Sequence, residues 1–493
     1  MERDTADAGW RFDNSYARLP ADLFMRTEPV PVPAPALAIL NEPLAADLGL
    51  DAAVLHDSGA AAFAGNALPP GAEPIAQAYA GHQFGHFTNL GDGRAILLGE
   101  QVTAAGRRHD VQLKGAGRTP YSRGGDGRAA LGPMLREFII SEGMHALGIP
   151  TTRSLAVATT GAAVLREAPL AGAVLTRTAA SHIRVGTFQF AAACGVPGLP
   201  AALLDHAIAR HDLELTTATA AERPLAFLDA VVGRQAALVA QWMLVGFVHG
   251  VMNTDNMAVS GETIDYGPCA FLDTYDPATV FSSIDRQGRY AYANQPAIAH
   301  WNLARLAESL LPLLPGPEEA AVERLRAVLE TFPARYERHL HAGGRAKLGL
   351  ATEEPGDAAL FTTLLDRMQA ARADFTATFA SLAGLAAIPV ASGAMPAADD
   401  WLAAWLPQWR ARLAREPGPP EAITARLRRA NPVVIPRNQH VEAALAAAEE
   451  GDMTPFLRLL AAVRAPDAET SANEPYRSGP PPGCGPYRTF CGT

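Results

Sequence analysis

Two short segments in the middle of the chain carry side chains that could hold a metal ion. The first runs from His249 to Asn256, and the second is Asp265-Tyr266-Gly267. Mg²⁺ prefers a few protein oxygens together with phosphate oxygens and water, so one amide and one carboxylate are sufficient. Asn256 and Asp265 therefore predict a metal site for Mg²⁺, with Mn²⁺ as the alternative ion. A hairpin that begins with an Asx turn is the other interpretation of this pair.

The spacing of these segments resembles the protein-kinase pattern H-R-D-x-x-x-x-N followed by D-F-G. The initial His, the closing Asn and the Asp-aromatic-Gly triplet are present, but Val251 stands where a kinase has its catalytic Asp. Asp255 is the other carboxylate of the loop and is the candidate general base, with a solvated loop acid as the alternative. The pattern predicts that the chain binds a nucleotide–metal complex like a kinase but performs different chemistry.

A lysine and a glutamate lie upstream in the order that phosphate binding requires. Lys114 ends a predicted strand, and Glu137 lies on the next predicted helix. A desolvated ammonium group keeps its place when a fixed carboxylate holds it, and kinases use such a pair at nucleotide phosphates. Taken alone, the two residues fit a surface lysine and a solvated helix glutamate. Their order relative to the later motifs favours the catalytic role.

Glycine-rich turns and two arginines complete the candidate nucleotide site. Gly91-Asp92-Gly93-Arg94 precedes a predicted strand, and a second glycine-rich run contains Asp126-Gly127. Glycine lets backbone N–H groups approach phosphate oxygens, although either run could be a tight turn. Asp126 could bond a ribose or a base edge, or only close its turn. Arg177 and Arg184 could clamp a terminal phosphate by bidentate bonds, with surface ion pairs as the alternative.

The hydrophobic periodicity predicts strands in the front half of the chain and helices in the back half. Alternation predicts a hairpin over 94–114, and apolar residues at spacings of three and four predict a helix over 133–147. Two more strands are predicted over 153–177, helix over 202–245, and a short hairpin over 257–266 that carries the metal pair. Long amphipathic helices are predicted at 298–314, 317–342, 358–383, 399–415 and 441–463.

This order of elements predicts an α+β, bilobal protein-kinase-like fold. Its N-lobe is a β-sheet with one key helix, and its helical C-lobe has extra C-terminal helices. The predicted units are an N-terminal extension packed on the core (1–75), the N-lobe with nucleotide-binding loops (76–190), the helical C-lobe with the catalytic and metal loop 249–267 (191–464), and a flexible tail with Cys484 and Cys491 (465–493).

Composition places the chain among ordinary globular proteins. Its 493 residues are 48% hydrophobic and 19% charged, with a formal net charge of −10 and no long basic run, which argues against nucleic-acid binding. The sequence contains no apolar run of membrane-spanning length and no signal-peptide core, so no membrane association is expected. Four cysteines do not make a disulfide framework in a chain of this length. A reducing cytoplasm is therefore the expected location.

Two histidines and the tail cysteines stand outside the nucleotide motifs. His82 and His86 have a spacing that suits a metal on a helix, but neighbouring glycines oppose a helix and favour a structural role. Cys491 lies close to the end of the chain, shortly after Cys484. It could form a redox latch near Cys269, or it could be an inert exposed thiol.

Beyond the kinase pattern, the chain resembles the selenoprotein O family (YdiU-like proteins) over most of its length. The motifs that carry this resemblance are Tyr79–His86, Leu90–Arg94, Gln112–Arg123, His249–Asp265, Gly288–Tyr290, Asn294–Pro296, Trp301–Arg305, Asn431-Pro432 and Arg437-Asn438. The resemblance implies a kinase-like protein that transfers AMP from ATP to Ser, Thr or Tyr hydroxyls of proteins and releases pyrophosphate. Cys491 occupies what looks like the position of the family's selenocysteine.

The resemblance also implies roles for individual residues and a flipped ATP relative to kinases. Asp255 would be the proton acceptor, Lys114 and Glu137 would take part in catalysis, and Asn256 and Asp265 would hold the metal. The implied nucleotide-binding residues are Gly91, Gly93, Arg94, Lys114, Asp126, Gly127, Arg177, Arg184 and Asp265. A cationic pocket of Lys114, Arg177 and Arg184 would neutralise the leaving pyrophosphate.

Three activities remain open on the sequence. The first is a Mg²⁺-dependent protein adenylyltransferase with ATP and hydroxyl-bearing proteins as partners, self-modification being an open alternative. The second is an atypical protein kinase with a displaced base. The third is a non-catalytic nucleotide-binding pseudokinase scaffold, for which Val251 is the best argument. Retention of Lys114, Glu137, Asn256 and Asp265 argues against the scaffold.

Overall fold

The computed structural model of the chain describes residues 8–387, 400–481 and 487–489. Its strands are β1 (Phe24–Arg26), β2 (Ala36–Leu40), β3 (Ile75–Gln77), β4 (Ala80–Gln83), β5 (His86–Asn89), β6 (Ala95–Val102), β7 (Arg108–Lys114), β8 (Ala129–Ala130), β9 (Arg153–Leu165), β10 (Pro169–Ala179), β11 (Phe247–Val248) and β12 (Ala270–Phe271). Within the described residues, an eight-stranded antiparallel sheet runs in the order β1-β3-β6-β7-β10-β9-β2, with β8 paired to β10. The hairpin β4–β5 and the pair β11–β12 stand apart from it.

Helices make up most of the remaining described chain. They are α1 (Glu42–Asp47), α2 (Ala52–Phe63), α3 (Leu131–Ala146), α4 (Val185–Ala193), α5 (Leu199–His211), α6 (Arg223–Val245), α7 (Gln295–Leu310), α8 (Glu318–Leu329), α9 (Phe332–Lys347), α10 (Asp357–Ala371), α11 (Phe375–Ala387), α12 (Asp400–Ala403), α13 (Leu406–Leu413), α14 (Pro420–Ala430), α15 (Asn438–Glu449) and α16 (Thr454–Val463). This mixture of one antiparallel sheet and many helices agrees with the α+β class. None of the described helices combines the length and the apolar character that a membrane span needs.

The hairpin β6–β7 confirms the prediction for residues 94–114 and fixes the direction of Lys114. Val111 and Leu113 are buried in the hydrophobic cluster that includes α2. Successive side chains of a strand point to opposite faces, so Gln112 and Lys114 face the other side of the sheet. Glu137 of α3 lies on that side and meets Lys114 there. The alternation in this short segment thus positions the lysine.

Helix α3 is buried on nearly every face, which holds Glu137 firmly. Leu135, Phe138 and Ile139 are fully buried in the main core beneath β9 and β10. α15 and α16 cover the outer side of α3, and Phe456 of α16 packs against Phe138 with ring centroids 6.2 Å apart. A carboxylate on such a helix has little freedom to move, as the role predicted for it requires.

The short hairpin predicted over 257–266 does not form. Its first arm bonds to the segment before α4, with Val259 N donating to Ile183 O at 3.0 Å. Its second arm bonds to the segment before β9, with Thr263 N donating to Pro150 O at 2.9 Å. The partners that complete these hydrogen bonds come from distant parts of the chain.

The long helices predicted for the back half are divided. The segment 317–342 becomes α8 and α9, 399–415 becomes α12 and α13, and 441–463 becomes α15 and α16. Pro333, Pro407 and Pro455 lie in the first turns of the second helices, where the missing N–H of proline costs nothing. The segment 358–383 divides at Arg372, which has a φ of +53°. Helix α14 was not predicted.

Both termini of the chain contain more defined structure than predicted. Residues 1–75 include α1 and α2, and also β1 and β2, which form the two outer strands of the main sheet. In the tail, Thr489 N donates to Phe281 O at 2.9 Å, and its hydroxyl donates to Pro268 O at 2.8 Å. Cys484 and Cys491 lie outside the described residues.

Candidate active site

Lys114 lies between two carboxylates. Its ammonium nitrogen donates to Glu137 Oε2 at 2.6 Å and also to Asp265 Oδ1. The lysine is only 4% exposed, so these acids replace the water that its charge has lost. Three residues that are far apart in the sequence, on β7, α3 and the loop before β12, therefore meet as the sequence predicts.

Arg177 adds a second cation to this cluster. From β10 it donates to Glu137 Oε1 at 3.1 Å and to Gln112 Oε1 at 2.8 Å, and it lies 3.9 Å from Asp265 Oδ1. Burial raises the pKa values of Glu137 and Asp265, but Lys114 and Arg177 outweigh burial and hold both pKa values below their usual range. Both acids are thus ionised at neutral pH.

The backbone before Asp265 is fixed by two hydrogen bonds. Thr263 bonds to Pro150, and the ring of His249 bonds through Nε2 to the carbonyl of Ile264 at 3.0 Å. Asp265 itself has a φ of +67°, in the left-handed region that Asp tolerates better than most residues. Such a conformation persists where the surroundings impose it. The carboxylate is consequently presented at one defined place.

Asn256 and Asp265 have oxygens suited to a divalent cation. The side-chain amide nitrogen of Asn256 donates to Val251 O at 3.1 Å, so its amide oxygen keeps its lone pairs for another partner. Asp265 uses Oδ1 for Lys114, and its side chain is 34% exposed to the cleft. One neutral amide and one ionised carboxylate beside a cavity are a suitable protein contribution to a Mg²⁺ site. These residues fit the predicted metal, and the role remains a proposal.

Asp255 is a buried carboxylate with spare hydrogen-bonding capacity. It is 7% exposed, and its Oδ1 has no hydrogen-bond partner among the described residues. Burial raises its pKa to about 6, although the nearby Arg184 guanidinium acts in the opposite direction. A carboxylate with a pKa near neutrality can accept a proton and still be largely ionised at pH 7.

Arg184 joins the loop of Asp255 to the glycine turn. It donates to the carbonyl of Asp255 at 3.2 Å and lies 3.7 Å from Asp92 Oδ1. Its guanidinium stands over the ring of Tyr79, 4.3 Å from the centroid. Sequence reasoning did not assign Asp92 or Tyr79 to the site. Their only signal was their position inside the Tyr79–His86 and Leu90–Arg94 motifs.

The first glycine turn is packed tightly against the loop that follows β7. Gly91 has a φ of +109°, and a Cβ added there would lie 2.4 Å from the ring of Tyr121. A Cβ added at Gly93 would lie 3.0 Å from the carbonyl of Tyr121. Only glycine fits at Gly91, and an added Cβ at Gly93 would be tightly crowded, which agrees with the G-x-G spacing. Tyr121 is a further cavity residue that sequence reasoning did not assign.

The second glycine run forms the opposite wall. Asp126 pairs with Arg166 at 2.9 Å and accepts the backbone N–H of Arg128 at 2.9 Å. Gly127 has a φ of +68°, and an added Cβ would lie 2.1 Å from the carbonyl of Gly117. The carboxylate of Asp126 therefore has an internal partner, so both its turn-closing and its ligand-binding interpretations stay open.

These walls enclose a cleft of about 500 Å³, which lies within the range of small-molecule sites. The predicted residues that line it are Gly91, Gly93, Arg94, Asp126, Gly127, Asp255, Asn256 and Asp265. Val251 lines it as well. Lys114 and Glu137 line a neighbouring cavity of about 370 Å³ that shares Arg94 and Gly267 with the first. Arg177 and Arg184 are buried behind these walls.

Two carboxylates accept hydrogen bonds from backbone N–H groups of the linker between β10 and α4. Ala180 N donates to Glu262 Oε2 at 3.0 Å, and His182 N donates to Asp110 Oδ2 at 2.8 Å. Burial raises the pKa of Glu262 to about 7, and its bond from Ser260 acts against that rise. These two backbone N–H groups of the linker are therefore occupied by the protein's own side chains.

The two histidines and the described cysteines take structural positions. His82 is half-buried on β4 and packs against Trp301 with ring centroids 5.3 Å apart, while His86 is exposed. Among the described residues, no cluster of three or more His, Cys, Asp or Glu side chains has the geometry of a metal site. Cys269 is buried, and burial raises its pKa to about 12, so its thiol stays protonated. The latch proposed for Cys491 remains a hypothesis.

Comparison with known proteins agrees with the geometry. The family model described as "Protein adenylyltransferase SelO" matches residues 8–464. The chain is 58% identical to the "Protein nucleotidyltransferase YdiU" of Geobacillus kaustophilus, over 99% of this chain and 100% of that protein. Its identity is 57% to the protein of that name from Rhizobium rhizogenes, over 98% of this chain and 97% of that protein. These matches confirm the family that the sequence motifs predict: the chain belongs to the SelO family of protein adenylyltransferases.

Proposed function

We propose that this chain transfers AMP from ATP to hydroxyl groups of Ser, Thr or Tyr side chains in proteins and releases pyrophosphate. One structural observation supports this activity independently of family membership. Val251 and Asp255 line the same cleft, so the position of the kinase base holds an apolar side chain while a neighbouring carboxylate is available. Lys114, Glu137, Asn256 and Asp265 are meanwhile retained in a bonded arrangement. A scaffold without chemistry would not need that combination.

The proposal includes a kinase-like arrangement of two lobes. The sheet with α3 corresponds to the N-lobe (76–190), and the helices after the linker correspond to the C-lobe (191–464). The N-terminal extension (1–75) is packed on this lobe and contributes β1 and β2 to its sheet. The tail (465–493) is the remaining unit. A cytoplasmic location also belongs to the proposal, since ATP is the substrate and the described cysteines, Cys194 and Cys269, are free thiols.

The closed linker supports a nucleotide that lies in the 500 Å³ cleft. Glu262 and Asp110 occupy the linker N–H groups of Ala180 and His182, so these two donors are not free to bind a base. Lys114, Arg177 and Arg184 supply three positive charges at the deep side of the site. An ATP molecule with its outer phosphates near those cations and its adenosine toward Gly127 satisfies both constraints. This orientation agrees with the flipped ATP that the family resemblance implies.

Asn256 and Asp265 would hold a Mg²⁺ or Mn²⁺ ion. When bound there, such an ion would neutralise phosphate charge and orient the phosphates. Lys114 now bonds to Asp265 Oδ1, so the same carboxylate lies within reach of both the lysine and the cleft. Glu137 keeps Lys114 in place from the other side when that carboxylate is shared.

Asp255 would accept the proton of the substrate hydroxyl. As that proton leaves, the hydroxyl oxygen forms a bond to the α-phosphorus, and the bond from the α-phosphorus to the bridging oxygen of the β-phosphate breaks. The electron pair of the broken bond leaves with pyrophosphate. Lys114, Arg177 and Arg184 are placed to stabilise this developing charge, which is the role that preorganised cations perform best in a desolvated site.

The position of a radioactive label in ATP tests the reaction. Purified protein and Mg²⁺ are incubated with ATP labelled at the α-phosphate or at the γ-phosphate, with and without a bacterial lysate. Labelling of protein from α-labelled ATP alone, with an AMP-sized mass increase, supports the proposal. Labelling from γ-labelled ATP would instead identify a kinase, and no labelling from either would favour a scaffold. Label in the reaction without lysate would show self-modification.

A further inference from the structure

Three family motifs that nucleotide binding does not explain meet beside Asp255. They are the segment that contains the β4–β5 hairpin, the segment Gly288–Tyr290 and the segment Trp301–Arg305. His82 of the hairpin packs against Trp301, and Phe84 packs against Tyr290 with ring centroids 5.1 Å apart. The guanidinium of Arg289 stands 4.9 Å from the centroid of Trp301. The three segments therefore form one cluster, and Phe84 of this cluster lines the cleft.

The outer edge of the hairpin bonds directly to the residues that precede Asp255. His82 N donates to the hydroxyl of Thr254 at 2.7 Å, and Phe84 N donates to Asn253 Oδ1 at 3.1 Å. Alternate N–H groups of a strand point to the same side, and at an outer edge they need a partner. Here two consecutive side chains of the catalytic loop provide it. Thr254 and Asn253 are 0% and 3% exposed, so these bonds are shielded from water.

The turn of the hairpin has a strained backbone at Phe84, the residue that bonds to Asn253. Phe84 has a φ of +51° and Gly85 a φ of +90°, the pair of positive angles that a type I′ turn requires. A phenylalanine at a positive φ is unfavourable and persists only where the surroundings impose it. Its N–H bond to Asn253 and its ring contact with Tyr290 are the interactions that impose it.

Two glycines lie close to Asp255, and a buried tyrosine bonds to Asn253 of the same loop. A Cβ added at Gly81 would lie 2.3 Å from Asp255 Oδ1, and one added at Gly186 would lie 3.2 Å from the Cα of Asp255. On the other side, the hydroxyl of Tyr290 donates to Asn253 Oδ1 at 2.6 Å. The loop that carries Asp255 is thus held between the hairpin, the first turn of α4 and Tyr290.

We propose that the β4–β5 hairpin and Tyr290 are a positioning device that holds Asp255 where it can take the proton of the acceptor hydroxyl. Thr254 and Asn253 transmit the contact and are positioning residues; Asn253 also lines the cleft, whereas Thr254 does not. The inference rests on the proposed function, because it assumes that Asp255 is the base. The device acts on the acceptor side of the reaction, so it should govern turnover and leave ATP binding almost unchanged.

Matched substitutions at Thr254 give the sharpest test. Thr254→Val keeps the shape of the side chain but removes the oxygen that accepts the N–H of His82, whereas Thr254→Ser keeps the oxygen. We expect Thr254→Val to lower kcat at least about tenfold with the KM for ATP within about twofold, because small displacements of a catalytic group are costly. Thr254→Ser should restore most of the activity. Thr88→Val, on the other strand of the hairpin, is the control and should behave as wild type.

Tyr290→Phe provides a second, independent measurement. It removes the hydroxyl that bonds to Asn253 and leaves the ring contact with Phe84 in place, so it should also lower kcat with little change in the KM for ATP. Thermal unfolding shows whether each variant is folded. If folded Thr254→Val and Tyr290→Phe proteins turn over as wild type does, or if they change only the KM for ATP, the inference is wrong. Failure of the proposed function would look different, because the wild-type protein would then transfer no AMP.

Discussion

Lys114 Nζ lies 2.6 Å from Glu137 Oε2, and this bond joins the last residue of β7 to the centre of α3. Arg177 bonds to the second oxygen of the same carboxylate at 3.1 Å. The glutamate therefore holds two cations at once, and both lie within 4 Å of Asp265 Oδ1. The sheet, the buried helix and the metal loop are connected through this one cluster.

Lys114→Met should abolish transfer while the protein stays folded. The substitution removes the cation that meets the phosphates, but Glu137 keeps its bond from Arg177, and Arg177 also lies 3.9 Å from Asp265 Oδ1. We expect AMP incorporation to fall about 100-fold or more, as is typical when a charge-stabilising group is lost. Label incorporation and thermal unfolding are the measurements. Lys347→Met is the matched control, because Lys347 is buried far from the cleft against Phe379.

The periodicity of the sequence was sufficient to predict those site residues whose position depends on a single strand or helix. Lys114 at the end of an alternating strand and Glu137 on a helix follow from periodicity, and their meeting follows from the kinase-like order. Asp110 and Glu262 could not be found in this way. Their partners, His182 N and Ala180 N, are backbone groups far along the chain, and nothing in the residue type marks such a bond.

The same limit explains the error at residues 257–266. Alternation indicates that a segment is extended, but it does not say which other segment will pair with it. Val259 bonds to Ile183 and Thr263 bonds to Pro150, so the two arms never face each other. The consequence for the site is favourable. The segment that carries Asp265 is hydrogen-bonded both to the residues before β9 and to the residues before α4, which an isolated hairpin would not achieve.

Asp265→Asn should remove metal-dependent activity. The amide keeps the size of the side chain but loses the negative charge that a divalent cation requires. We expect transfer to fall at least about 100-fold and the concentration of Mg²⁺ needed for half-maximal activity to rise. Titration of Mg²⁺ and Mn²⁺ into metal-free protein, followed by label incorporation, measures both effects. Asp276→Asn, in the same segment but away from the cleft, is the control. A variant that kept wild-type transfer would exclude Asp265 as a ligand.

The contribution of Lys347 to the stability of the protein should rise with pH between about 7 and 10.5. Burial lowers the pKa of Lys347 to about 7 from 10.5, so the folded state disfavours the proton that the unfolded state still binds. The contribution of the neutral amine to stability is complete above the pKa of Lys347 in the unfolded chain. It is lost as pH falls through the pKa of Lys347 in the folded protein, about 7. Each unit of pKa difference corresponds to about 1.4 kcal/mol.

Urea unfolding of wild type and Lys347→Met across that pH range isolates this contribution. The methionine has a similar shape and no charge, so the difference in unfolding free energy between the two proteins should shrink or reverse as pH rises. The other groups titrate equally in both proteins, so their contributions to the unfolding free energy cancel in the difference. A difference that stays constant from pH 7 to pH 10.5 would show that the amine of Lys347 reaches solvent.

Asp255→Asn should separate chemistry from binding. The amide preserves the packing against Gly81 and the carbonyl that Arg184 bonds, but it cannot take a proton at neutral pH. Loss of a general base typically costs a factor of about 10² to 10⁴, so we expect kcat to fall by that range. The dissociation constant for ATP, measured by calorimetry with Mg²⁺, should stay within about twofold. An equal loss of ATP affinity and turnover would place Asp255 among the nucleotide-binding residues, and proton transfer would then have to use another group on the wall of the cleft.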